Sequence, residues 1–207
     1  KLINSKFLIK KKVDPINDLK SIKNNTEIKN MIEAHIKDGV AVTKFLYWIK
    51  NSNIKKLDEI KVEKKLESFR KKSKNYLFPS FSTIAGSGPN GAIIHYRSNI
   101  KSNRKLNKDH LLLVDSGGQY KWGTTDITRT ISFSDPSKKT KELYTRVLKG
   151  HIAVAMSKID KLKNGNNIDK LARKSLNSVN LDYRHGTEIG RAHVWTPVTD
   201  VSRMPSS

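Results

Sequence analysis

Residues 111–133 read LLLVDSGGQYKWGTTDITRTISF. Leu111 to Val114 is a continuous apolar run that ends in a carboxylate, Asp115, as a buried strand does when it emerges at a sheet end. Ser116-Gly117-Gly118 turns the chain, and Gln119 to Phe133 supplies further strand rich in Thr, Ile and Trp. A second carboxylate, Asp126, lies among the threonines of that return run. No lysine is placed by the sequence to neutralise either aspartate, and a carboxylate inside a sheet is costly unless paired, hydrogen-bonded or metal-bound. The segment SGGQYKWGTT can fold back as a hairpin, with Gly117, Gly118 and Gly123 at its bends, and so bring Asp115 and Asp126 together. Two converging carboxylates without cysteine suit hard divalent ions such as Mn²⁺ or Co²⁺. The spacing alone is equally that of two turn or capping aspartates.

Outward from this stretch, FSTIAGSGPNGAIIHYRS at residues 81–98 reads as two short strands joined by a Gly-Pro-Asn-Gly turn. GSGPNG satisfies the dinucleotide pattern G-x-G-x-x-G, but Pro89 removes an amide and AIIHYR is expected to continue as strand, so a nucleotide loop is rejected. Further upstream, apolar residues at helical spacing from Ile28 to Ile49 predict a long amphipathic helix over 27–50, with Thr26 as N-cap and Gly39 as the place for a bend. Ile60, Val62, Leu66 and Phe69 predict a second helix between Asp58 and Ser73. Residues 1–24 carry a Lys10-Lys11-Lys12 run and an Asp14-Pro15 turn signal, with no sustained period. Downstream, helices are expected over 137–157 and 168–176. Helices, then a mostly antiparallel sheet, then helices again indicate an α+β domain. His35 and His151 fall on helices near apolar faces and read as packing residues, whereas His95 ends AIIHYR and His185 opens a loop, HGTEIG.

The 207 residues carry 41 Lys+Arg against 19 Asp+Glu, so the formal charge is 41 − 19 = +22. A stripe of cations would point to nucleic acid, since phosphate contacts are made by clustered Lys and Arg. Here the charge is spread: +5 over residues 1–26, +6 over 27–74, +11 over 75–187 and none over the last twenty. Of the cations, 32 are Lys and 9 are Arg, although phosphate and base recognition favours the bidentate guanidinium. The charge therefore reads as a solvated, compositionally biased surface, with no nucleic-acid partner expected. With no Cys, a disulfide scaffold and thiolate metal sites are excluded. No apolar run approaches the roughly 20 residues that span a bilayer, so no membrane partner is expected.

The ordered motifs FSTIAGSGPNGAIIHYRS, LLLVDSGGQYKWGTTDITRTISF and YTRVLKGHIAVA, with NMIEAHIKDGVAVTKFLYWI before them, resemble aminopeptidase P. That is the Xaa-Pro aminopeptidase branch of the creatinase and methionine aminopeptidase-like metallopeptidases, and the likeness covers roughly residues 14–187. The resemblance implies a pita-bread fold of which this chain holds the first half. It also implies two divalent metal ions, usually Mn²⁺, held by an Asp, Asp, His, Glu, Glu set, with Asp115 and Asp126 matching the two aspartates. His95 matches a histidine that contacts substrate and assists proton transfer, and His185 is a weaker candidate of the same kind. The implied activity removes the N-terminal residue from peptides with proline in second position, in the cytoplasm, with room for a homo-oligomer. The alternatives are a non-catalytic binding protein of the same fold, or prolidase or methionine aminopeptidase specificity.

The likeness ends inside a motif. The family continues this loop as HGTGHGVG, whose second histidine is the third metal ligand, whereas Ile189 stands at that position here. Back-translated, EIGRAHV fits GAG ATC GGA AGA GCA CAC GTC and SRMPSS fits TCT CGT ATG CCG TCT TCT, strings that resemble a sequencing adapter. The expected organisation is therefore residues 1–19 as the end of a missing region, 20–187 as a partial catalytic domain, and 188–207 as a foreign tail. Such a fragment is expected to leave an apolar face uncovered and to show no turnover.

Overall fold

A computed structural model of the chain describes residues 14–158 and 164–187, so the tail expected from residue 188 onward lies outside the described residues. Helix α1 spans Pro15–Ser21. The Asp14-Pro15 pair read as a turn is instead a helix start: Asp14 accepts from the Ile16 amide at 2.9 Å, and Pro15 occupies the first turn, where a missing N–H costs nothing. Helix α2 spans Asn25–Lys50. Its cap is Asn24 rather than Thr26, because Asn24 and Glu27 bond each other's backbone amides reciprocally in a capping box. The helix runs through Gly39 without a break.

Helix α3 spans Glu59–Arg70. It packs with α2 on one face of a three-stranded antiparallel sheet of β2 (Ile84–Ser87), β3 (Leu112–Ser116) and β6 (Ile127–Ile131), in the order β2-β3-β6. Alternation along the strands divides the sheet. Ala85, Leu112, Val114 and Ile131 turn to the helices and join Val42, Phe45, Ile49, Val62 and Leu66 in the core. Ile84, Leu113, Asp115 and Thr128 take the opposite face. The apolar positions expected to bury α2 do so only in its second half: Ile28, Ile32, Ile36 and Val40 lie on an exposed side, and the buried stripe is Ala34, Asp38, Ala41, Phe45 and Ile49.

The return run from Gln119 to Phe133 is broken into pieces. After Gly117 the chain leaves the first sheet and forms a second, β1 (Tyr76–Pro79), β4 (Gly118–Tyr120) and β5 (Gly123–Thr124), before rejoining the first as β6. Glycine is required at the crossing, since a Cβ on Gly117 would lie 1.9 Å from the Thr125 carbonyl oxygen. Helices α4 (Lys138–Ala155) and α5 (Gly165–Asn177) then form a close hairpin, in which a Cβ on Gly150 would lie 2.1 Å from the Ala172 carbonyl oxygen. Much of α4's apolar surface stays open: Tyr144, Val147, Leu148 and Ile152 are about half exposed. Among the described residues no helix is long and apolar enough to cross a membrane.

Candidate metal centre

The strand expected over AIIHYR does not form. Gly88–Ala92 is a 3-10 turn, the chain turns again through Ile93, and His95 adopts a left-handed φ of +52°. A tertiary anchor overrides the β-propensity of the two isoleucines. Glu59, fully buried at the start of α3, accepts from the Ser87 amide at 2.7 Å, the Asn90 amide group at 3.0 Å, the Tyr96 hydroxyl at 2.7 Å and the Arg104 amide at 2.9 Å. This carboxylate gathers both flanks of the loop and thereby sets where His95 emerges. Burial, with the Glu59 carboxylate adding to it, holds the Tyr96 phenol above its usual range, so it remains a donor.

His95 and Asp115 open onto one cleft of about 620 Å³ between the sheet face and the α4–α5 hairpin, and His151 and His185 line it too. The packing role expected of His151 does not hold, because its side chain is exposed on the cleft side of α4, whereas His35 is half-buried with Nδ1 2.9 Å from the Met31 carbonyl oxygen. Asp115 is half-buried at the end of β3 and accepts from the Thr128 hydroxyl at 2.9 Å. The ladder pairs Asp115 with Thr128 and closes at Ser116 with Ile127, so Asp126 follows directly beyond the last pair, beside the same strand end as Asp115. The fold-back expected to bring Asp115 and Asp126 together takes the form of a detour through the second sheet, and the ladder returns the two residues to the same strand end. Among the described residues no group of three or more His, Cys, Asp or Glu converges as a metal site. The donors that Asp115 and Asp126 offer are carboxylate oxygens, of the kind that suits hard divalent ions.

The loop that carries His185 is tethered to α5. The Arg173 guanidinium bonds Asp169 and Asp182 at 2.8 Å each, donates to the carbonyls of Tyr183 and His185 at 2.6 Å, and lies 4.0 Å over the Tyr183 ring. That ring stacks on His185 at 4.7 Å between centroids. The Arg173 hydrogen bonds hold the carboxyls of Asp169 and Asp182 below the usual range. A depressed folded pKa means that the tether is complete above the ordinary Asp pKa of about 3.9 and is lost as pH falls through the lowered values. Amide exchange over residues 182–187, referred to the intrinsic rate, is expected to hold steady from neutral pH to about pH 5 and to rise only in stronger acid. A rise between pH 7 and 6 would contradict this assignment.

Residues 29–194 match the model of metallopeptidase family M24. The chain is 46% identical over 177 residues to the Xaa-Pro aminopeptidase ApepP of Drosophila melanogaster, covering 84% of this chain and 29% of the relative. It is 45% identical over 181 residues to aminopeptidase P2 of Arabidopsis thaliana, covering 85% and 25%. The crystal structure of X-prolyl aminopeptidase from Caenorhabditis elegans, a cytosolic enzyme with a di-nuclear active site, superposes with TM-score 0.76 at 32% identity, covering 84% of this chain and 29% of that one. Prolidase from Pyrococcus furiosus superposes with TM-score 0.67 at 27% identity, covering 80% and 47%. The chain thus spans less than a third of the length of these curated relatives, and the pita-bread fold is the one it shares with the solved structures. Helix-backed antiparallel strands, a cleft lined by Asp115 and His95, and a family match running from α2 past the His185 loop lead to one conclusion: the chain belongs to metallopeptidase family M24.

Proposed function

We propose that the chain is the first part of the catalytic domain of a metal-dependent aminopeptidase that removes the N-terminal residue from peptides with proline in second position. The observation that supports this reading is the pairing of β3 with β6, which brings Asp115 and Asp126 to one strand end, with Asp115 and His95 lining one cleft, in a chain 46% identical to a protein named for this activity. Asp115 and Asp126 would hold two divalent ions, Mn²⁺ by preference, together with ligands supplied beyond residue 187. Bound there, the ions supply Lewis-acid polarisation of the scissile carbonyl and a water of lowered pKa.

The chain's own residues then divide the remaining work. His95, exposed on a loop held by Glu59, contacts the peptide and exchanges a proton at its imidazole. His185, fixed by the Arg173 tether and its stack on Tyr183, closes the cleft from the opposite side. The working location proposed is the cytoplasm. In this account residues 1–19 end a preceding region, 20–187 are partial catalytic domain and 188–207 are foreign to it.

Solved prolidases share the fold, so the assay must separate the two activities. The complete protein loaded with Mn²⁺ is expected to release the N-terminal residue from an Xaa-Pro-Xaa tripeptide and to stop on chelation, while the 207-residue chain alone turns over neither substrate. Cleavage confined to the dipeptide Xaa-Pro would establish prolidase specificity instead.

A further inference from the structure

Asp38 lies in the middle of α2 with no exposed surface, and its two oxygens take four hydrogen bonds. Arg70 donates from Nε to Oδ1 at 2.6 Å and from Nη2 to Oδ2 at 3.0 Å. The Tyr120 hydroxyl donates to Oδ1 at 3.0 Å and the Thr125 hydroxyl to Oδ2 at 2.6 Å. Arg70 Nη2 also reaches the Ser116 hydroxyl at 3.1 Å. Ser116 directly follows Asp115, and Thr125 directly precedes Asp126. The cluster therefore grips the chain one residue inside each candidate ligand.

We propose that Asp38, acting through Arg70 and Thr125, is the positioning residue that sets the separation of the Asp115 and Asp126 carboxylates. The inference rests on the metallopeptidase reading above. Neighbouring residues of a strand point to opposite faces, so anchoring the Ser116 side chain beneath the sheet directs Asp115 to the cleft. Asp126 lies just beyond the last pair of the β3–β6 ladder, and its neighbour Thr125 is held there by Asp38. The Thr125 hydroxyl also accepts from the Gly118 amide at 2.8 Å and so ties the two arms of the detour together. Stability alone is a weak reason to keep such a cluster, because buried ion pairs are often replaced by apolar side chains without loss. Groups that orient metal ligands from behind are a stronger one.

The test is made in the complete protein with Mn²⁺ as the probe. Thr125→Val keeps the shape and removes the hydroxyl, Thr125→Ser restores it, and Ser116→Ala cuts only the Arg70 arm. Calorimetric titration of the metal-free proteins is expected to show Mn²⁺ affinity about 10–100-fold weaker for Thr125→Val, with Thr125→Ser near wild type and Ser116→Ala weakened in the same direction. The paramagnetic resonance signature of the coupled ion pair should change in Thr125→Val and recover in Thr125→Ser. Melting of the metal-free proteins reports folding, and if Thr125→Val fails to fold, Ser116→Ala decides the matter. Wild-type affinity and spectrum in the folded valine and alanine variants would overturn the positioning role alone. A wild-type protein that binds no Mn²⁺ would overturn it together with the reading on which it rests.

Discussion

Asp115→Ala in the complete protein is expected to reduce turnover by more than the 10–100-fold that loss of a group behind a metal ligand costs, because the proposed ligand itself is removed. The fold should survive. Asp115 sits on the cleft face, its hydroxyl partner Thr128 is exposed, and neither belongs to the core formed by α2, α3 and the other sheet face. Steady-state kinetics beside a melting curve would separate the two effects. Wild-type turnover in the folded variant would remove Asp115 from the site.

The largest expected effect on stability belongs to Glu59→Gln. Oε1 of Glu59 accepts from the Ser87 backbone amide and Oε2 from the Arg104 backbone amide, so either orientation of the new side-chain amide sets an N–H₂ against a backbone N–H. Two buried donors then face each other unsatisfied, at about 1–3 kcal/mol each, and at least about 2 kcal/mol of unfolding free energy should be lost. For a domain of this size that is a fall in Tm of about 4–8 °C. Tyr96→Phe, which removes one donor to the same carboxylate, should cost less, about 1 kcal/mol. Equal melting of Glu59→Gln and wild type would mean that the carboxylate does not hold this loop.

Local sequence carried the helices well, because period and caps act over a few residues. α2, α3, α4 and α5 each begin and end within about three residues of the stretches their apolar spacing marks out. Strand β3 and the return of β6 beside it were likewise legible in LLLVD and DITRTI. The detour through a second sheet was not, since its partner strand β1 is some forty residues away in the chain and no local pattern joins them. The turn at 88–96 is hidden from local sequence for the same reason: Asn90 and Tyr96 are held by Glu59, a contact visible only in three dimensions.

A signal for the buried carboxylates was nevertheless present. Asp38 falls in the stripe Ala34, Asp38, Ala41, Phe45, Ile49, and Glu59 in the stripe Glu59, Val62, Leu66, Arg70, each at three- and four-residue steps. A charged residue in such a stripe must find partners in the core. The exposed apolar side of α2 masked this, since Ile28, Ile32, Ile36 and Val40 follow the same spacing and drew the expected buried face to themselves.

The complete protein, stripped and reloaded with Mn²⁺, is predicted to retain two ions per chain, and Asp126→Ala to retain one or none while still folded. Two ions retained by the folded Asp126→Ala variant, or none by the wild type, would contradict the assignment of this strand end as the metal centre.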